Sequence, residues 1–176
     1  MFYTWTLFLC CISGLRAVPL LMSWSTSIKL FDESNTANIT DVSPTTTLAI
    51  AVDYHYTRGE IYYTDSVGRI YRGWMRSRGD TVKRPIIIAE VILCDGLAVD
   101  WISDNIYWTD INAKKVEMAT LDGLYRRKLF NASDGVEKPR AIVLDPSEGL
   151  MFWSDWGQNA RIESSGLDGH EKVTIV

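Results

Sequence analysis

Between residues 49 and 176 the chain is a succession of short apolar or β-branched runs separated by Asp, Gly, Asn and Ser. Runs of this length with this punctuation predict β-strands joined by tight turns, whereas helices need longer stretches with a period of about 3.6. In the clearest stretch the strands are expected over Gly96–Asp100, Asn105–Thr109, Lys115–Ala119 and Arg126–Phe130. Their patterns differ. The first is rich in small residues, and the second is continuously apolar and aromatic, as for a strand buried on both faces. The third alternates, with Val116 and Met118 on one face and Lys115 and Glu117 on the other, which places it nearer solvent.

The pattern repeats. Ile61-Tyr62-Tyr63-Thr64-Asp65, Ile106-Tyr107-Trp108-Thr109-Asp110 and Met151-Phe152-Trp153-Ser154-Asp155 align, and their closing aspartates are each 45 residues apart. Ahead of them lie Ala49-Ile50-Ala51-Val52-Asp53, Leu97-Ala98-Val99-Asp100 and Ala141-Ile142-Val143-Leu144-Asp145, and two of the units share a Leu-Asp-Gly turn, at Leu121 and at Leu167. A supersecondary unit repeated at this period indicates a blade that hides its apolar faces only by stacking on its neighbours. The fold class is therefore all-β, a propeller of four-stranded antiparallel blades with the small-residue strand innermost.

The aromatic, aromatic, Thr/Ser, Asp segment resembles the YWTD repeat of the low-density lipoprotein receptor family, whose six repeats close a six-bladed propeller. Longer strings carry the likeness further: Arg16-Ala17-Val18-Pro19-Leu20-Leu21, Asp95-Gly96-Leu97-Ala98-Val99-Asp100-Trp101, Pro139-Arg140-Ala141-Ile142-Val143-Leu144-Asp145-Pro146 and Trp153-Ser154-Asp155-Trp156-Gly157. These resemble the first propeller of the family's Wnt co-receptor branch. The resemblance implies a partial six-bladed YWTD propeller: a segment 1–18 that is removed, N-terminal strands of the closing blade over 19–48, and three repeats over about 49–94, 95–139 and 140–176. Three repeats where the family has six, and no EGF-like module after them, lead us to expect a truncated chain.

Composition narrows the function. The net charge is −4 with basic residues scattered, which excludes the concentrated Lys/Arg stripe of a nucleic-acid surface. The apolar run ending at Ile12, followed by small residues up to Ala17, has the anatomy of a secretory signal and is too short to span a bilayer. No Lys or Arg precedes it. Cys10 and Cys11 would leave with that signal, so Cys94, in an apolar run, is expected to be a buried thiol without a disulfide partner. The triplets Asn38-Ile39-Thr40 and Asn131-Ala132-Ser133 are acceptors for N-linked glycans, so Asn38 and Asn131 are expected at the surface.

The recurring aspartates invite two chemistries. Carboxylates at strand ends could gather as acid–base pairs or calcium ligands, yet a feature present in every blade serves what every blade needs, which is backbone N–H acceptance at turns and blade junctions. Asp65, Asp110 and Asp155 are therefore assigned a structural role. A calcium-dependent propeller hydrolase is the rival class, but the loops entering the inner strands offer Thr46 and Thr47, Asp95 and then Arg140, and a fixed cation opposes metal binding. His55 and His170 lack companions at zinc-ligand spacing, and no nucleophile elbow or phosphate loop occurs. No cofactor, metal or catalytic residue is expected. Arg78-Gly79-Asp80 spells the integrin tripeptide at a turn, where Gly-Asp is ordinary turn chemistry.

The resemblance implies an extracellular receptor module whose parent crosses the plasma membrane once, pairs with another membrane receptor and binds Wnt proteins and secreted antagonists. Ligands would meet the mouth of the propeller, formed by the loops before each inner strand and after each YWTD segment. The matching positions are Asp95, Asn112, Arg140 and Trp156, with Thr46 and Thr47 standing where the co-receptors carry an acidic pair. Trp supplies contact area at low entropic cost, and Arg supplies a fork of donors. The competing readings are blade packing for Trp156 and an internal ion pair for Arg140.

Overall fold

The structure, a computed structural model, describes residues 20–24, 27–31, 39–44, 48–74 and 86–176. The candidate signal, Cys10, Cys11, Asn38, Thr46, Thr47 and Arg78-Gly79-Asp80 lie outside the described residues.

Four antiparallel sheets stand side by side. The first holds β1 (Leu20–Trp24), β2 (Ser27–Phe31) and β3 (Ile39–Pro44) in that order. Blade 1 follows, made of β4 (Ala49–His55), β5 (Glu60–Asp65), β6 (Arg69–Trp74) and β7 (Ile86–Glu90). Blade 2 comprises β8 (Cys94–Asp100), β9 (Asn105–Asp110), β10 (Lys115–Thr120) and β11 (Arg127–Phe130). Blade 3 comprises β12 (Pro139–Asp145), β13 (Leu150–Asp155), β14 (Arg161–Gly166) and β15 (Val173–Thr174). Within each blade the strands pair in chain order, as tight hairpins require, and the innermost strands β1, β4, β8 and β12 lie one against the next. The chain is thus all-β, with three four-stranded antiparallel blades and a three-stranded N-terminal sheet beside blade 1.

The core lies between blades. Tyr62, Ile70 and Ala51 of blade 1 pack with Leu97, Val99, Ile106 and Trp108 of blade 2. Ala98, Tyr107 and Val116, on the opposite face of blade 2, pack with Ile142, Met151 and Trp153 of blade 3. Alternation along β8 and β9 therefore does not separate core from solvent. It separates one neighbouring blade from the other, which is why these strands read as continuously apolar. Cys94 is fully buried inside this core and its thiol, in contact with Gly96 O, is pushed up by desolvation.

Two details of the sequence reading are corrected by register. In β10, Glu117 is buried rather than solvent-facing, because it lies opposite Trp108 on the face covered by blade 1. It is neutralised there by Arg126, whose Nη2 lies 2.7 Å from Oε2 and whose guanidinium sits 5.1 Å from the Trp108 ring centroid. The other correction concerns Asp53. It pairs with Tyr62, as Ala98 pairs with Tyr107 and Val143 with Phe152, whereas His55 occupies the position of Asp100 and Asp145. Asp53 therefore stands on the face turned to blade 2, where Oδ2 accepts the Val99 N–H at 2.7 Å.

Candidate functional site

Each inner strand carries a register shift near its start: between Ala49 and Val52, Cys94 and Gly96, and Pro139 and Ile142. A bulge bends the strand and re-aims the extra side chain. Asp95 and Arg140 fall inside the second and third of these bulges, with Ile50 at the corresponding place in blade 1. The bulges lie at the strand ends closed by Asp65, Asp110 and Asp155.

Those three aspartates are turned inward to the backbone. The Asp110 carboxylate accepts N–H groups from Ile92 at 2.8 Å, Leu93 at 3.3 Å and Ala113 at 2.9 Å. Asp155 accepts from Glu137 and Lys138, each at 2.8 Å, and from Gly157 at 3.1 Å. Asp65 accepts from Val67 at 3.0 Å, from Arg69 at 2.9 Å and from the Tyr71 hydroxyl at 2.9 Å. In blades 2 and 3 one buried carboxylate thereby ties the loop entering the blade to the turn leaving β9 or β13. The neighbouring threonines join blades: Thr64 Oγ1 donates to Cys94 O at 3.3 Å, and Thr109 Oγ1 donates to Arg140 O.

On this scaffold Asp95, Arg140 and Trp156 come together. Arg140 Nη1 is ion-paired with the Asp95 carboxylate across the blade 2–blade 3 boundary, and the guanidinium lies 5.2 Å from the Trp156 ring centroid. Trp156 is 65% exposed among the described residues, while Arg140 is half-buried and its buried Nε finds no acceptor among them. A guanidinium held between a carboxylate and an indole is orientationally fixed. Asn112 is exposed in the turn between β9 and β10, with no recorded contact to these three.

An open groove of about 440 Å³ runs from Arg140 and Trp156 past Asp155 to Arg161 and Ile162. Sequence reasoning missed Arg161. It bonds Glu163 through Nε and the Gly135 carbonyl through Nη2, and lies 3.5 Å from Asp155. The signal that could have found it is its place directly opposite Asp155 in the hairpin register. Among the described residues no group of three or more His, Cys, Asp or Glu side chains is placed to hold a metal ion. No helix among them is long and apolar enough to cross a membrane.

Comparison with known proteins agrees with this architecture. The family model of low-density lipoprotein receptor repeat class B matches residues 104–146 and 149–176. Low-density lipoprotein receptor-related protein 5 of Mus musculus is 39% identical over 111 residues, covering 62% of this chain, which itself spans 7% of that relative. A chain in the crystal structure of a nidogen/laminin complex superposes with a TM-score of 0.80 at 27% identity, over 90% of this chain and 61% of the other. The calcium-binding protein regucalcin from Agrobacterium tumefaciens shares the fold, with a TM-score of 0.66 at 15% identity over 90% of this chain and 57% of its own. Residues 104–146 and 149–176 thus match low-density lipoprotein receptor class B repeats, and the chain has the fold of a β-propeller.

Proposed function

We propose that this segment is the extracellular ligand-binding module of a cell-surface receptor, and that its mouth binds secreted proteins of the Wnt pathway: Wnts and their antagonists. The observation that carries the reading is the Asp95–Arg140–Trp156 arrangement, an exposed indole and a preoriented guanidinium placed side by side on a rigid sheet edge. Large aromatic and arginine side chains in this setting are the residue types on which protein interfaces concentrate their energy. The Arg140 side chain, 39% exposed, suits a backbone carbonyl or carboxylate of the ligand. The likeness to receptor-related protein 5 supports a receptor role for the parent. A binding role is supported by Asp95, whose carboxylate is committed to Arg140.

The test is binding of the chain and of its full-length parent to immobilised Wnt and to an immobilised Wnt antagonist. Arg140→Glu and Trp156→Ala are each expected to weaken binding by a factor of about 30, the equivalent of roughly 2 kcal/mol per anchor. Asn112→Ala, at the rim, is expected to change it by less than about threefold. Binding that is unaltered by both Arg140→Glu and Trp156→Ala would remove this site, and a parent that binds neither protein would remove the Wnt reading.

A second reading, a calcium-dependent hydrolase, draws on the regucalcin likeness, which at 15% identity carries the fold alone. Calcium-dependent turnover of an ester or lactone, lost on substitution of Asp95, would favour it.

A further inference from the structure

The loop between β11 and β12 carries a motif that ligand binding leaves unused. Asn131-Ala132-Ser133 is an acceptor triplet with no proline in its middle position. Ser133 directs both its N–H and its Oγ–H at Asn131 Oδ1, each at 2.8 Å. The neighbouring bonds are equally local: Asp134 Oδ2 accepts the Asn131 N–H at 2.9 Å, Asn131 O accepts Asp134 N–H at 2.9 Å and Val136 N–H at 3.2 Å, and Gly135 N–H reaches Ala132 O at 3.2 Å. Ala132, Ser133, Asp134 and Gly135 are exposed, Asn131 is half-buried, and its Nδ2 has no acceptor among the described residues.

From this we infer that Asn131 is a site of N-linked glycosylation whose acceptor geometry is set by the hydrogen bonds of Ser133 and Asp134 to Asn131. The inference rests on the extracellular reading above, because the transfer occurs during export. The bonds to Asn131 itself all close within six residues, and blade 3 adds a hold on the far side of the turn through Arg161 Nη2 on the Gly135 carbonyl. A hydroxyl donating to Oδ1 draws electron density toward that oxygen and eases loss of an Nδ2 proton. In the step itself Nδ2 forms a bond to the anomeric carbon of a polyprenyl diphosphate-linked oligosaccharide. The bond from that carbon to the diphosphate oxygen breaks, its electron pair leaves with the polyprenyl diphosphate, and the Nδ2 proton passes to base. The turn uses Oδ1, and the sugar uses Nδ2. The modification therefore leaves every bond of the turn intact.

Its position follows from connectivity. The loop leaves the outermost strand of blade 2 and runs inward to Glu137 and Lys138, which are tied to Asp155, and then to Arg140. A glycan at Asn131 therefore stands at the outer margin of the face that bears Arg140 and Trp156, and limits a ligand to approach from the axial side.

The full chain and its parent, produced in a secretory animal cell, are digested and the Asn131 peptide is followed by mass spectrometry with and without peptide N-glycosidase. The expected result is a glycopeptide that the enzyme converts to one carrying Asp at position 131. Ser133→Thr is expected to retain the glycan, while Ser133→Ala and Asn131→Asp lose it. Asn131→Asp has the same residue at 131 as enzymatically deglycosylated wild type and serves as its reference, while Asn131→Ala, which lacks the side-chain acceptor for Ser133, is expected to melt at a lower temperature than either. A secreted chain with an unmodified Asn131 overturns the site and leaves the extracellular reading standing. A chain retained in the cytosol of those cells overturns both.

Discussion

Blades 2 and 3 are built from nearly the same strands, yet they are buried very differently. Ala98, Tyr107 and Val116 of blade 2 are 4%, 2% and 0% exposed, while their register counterparts Val143 and Ile162 in blade 3 are 52% and 42% exposed and Phe152 is half-buried. The difference is a neighbour. Blade 2 is covered on both faces, and blade 3 among the described residues only on the face turned to blade 2. An apolar position in such a repeat is thus a docking position, and its energetic weight depends on whether another blade occupies it.

The sharpest test of this comparison is truncation at equivalent positions. Tyr107→Ala removes a buried ring and its 3.1 Å hydroxyl bond to Leu167 O, and is expected to cost about 3–5 kcal/mol. Phe152→Ala is expected to cost less than about half of that, since its ring is only partly removed from water. Urea unfolding of both variants measures the gap, and equal losses would break the comparison.

Second in size is the carboxylate that closes β9. Asp110→Ala strands three N–H donors, those of Ile92, Leu93 and Ala113, and is expected to cost on the order of 2–3 kcal/mol. The loop 91–93 should then show faster amide exchange than blade 3, which is the readout that distinguishes a lost tie from general loosening.

Gly96→Ala probes the blade 2–blade 3 contact from the backbone side. A Cβ there would lie 2.3 Å from Arg140 O and 2.9 Å from Ile142 N, so the inner strands must separate, at a cost of about 1–2 kcal/mol. The same displacement carries Arg140 away from Asp95, so ligand affinity should fall along with stability.

At the blade 1–blade 2 boundary the expected effect depends on pH. Burial pushes the Asp53 carboxyl up to about 6, against the opposing pull of the Val99 and Tyr54 N–H groups. Folded Asp53 thus holds its proton more tightly than unfolded Asp53. Its contribution to stability is fully present below the ordinary carboxylate range, near 3.8, and is lost as pH rises through about 6. Asp53→Asn, which keeps an acceptor for Val99 N–H, should therefore gain on wild type by on the order of 2 kcal/mol as the pH rises from roughly 4 to 7.5. A stability difference between the two proteins that does not change with pH would contradict this.

Much of this was readable in the chain. The 45-residue spacing of Asp65, Asp110 and Asp155 identified the repeat, and the strands expected in blade 2 match β8 to β11 to within two residues at each end. The same spacing places His55 in line with Asp100 and Asp145, so the correct alignment was available, but the shared Val-Asp pair drew Asp53 into the wrong column. Asp95, Arg140 and Trp156 came from the resemblance, as positions matching the family's ligand-binding mouth, and their residue types suit that role.

Strand boundaries, turns and repeat period are local properties, set by β-branched runs and by Asp and Gly, and the sequence alone determined them. What lies across a blade boundary was decided only by the tertiary structure, because the partners there are separated by tens of residues and meet through packing. That covers the burial of Glu117 under blade 1, the Asp53 bond to Val99, the Arg140–Asp95 pair and the exposure of Val143. An alternating strand looks half-exposed on paper. Whether its second face meets water or another blade depends on a neighbour that its own residues do not encode.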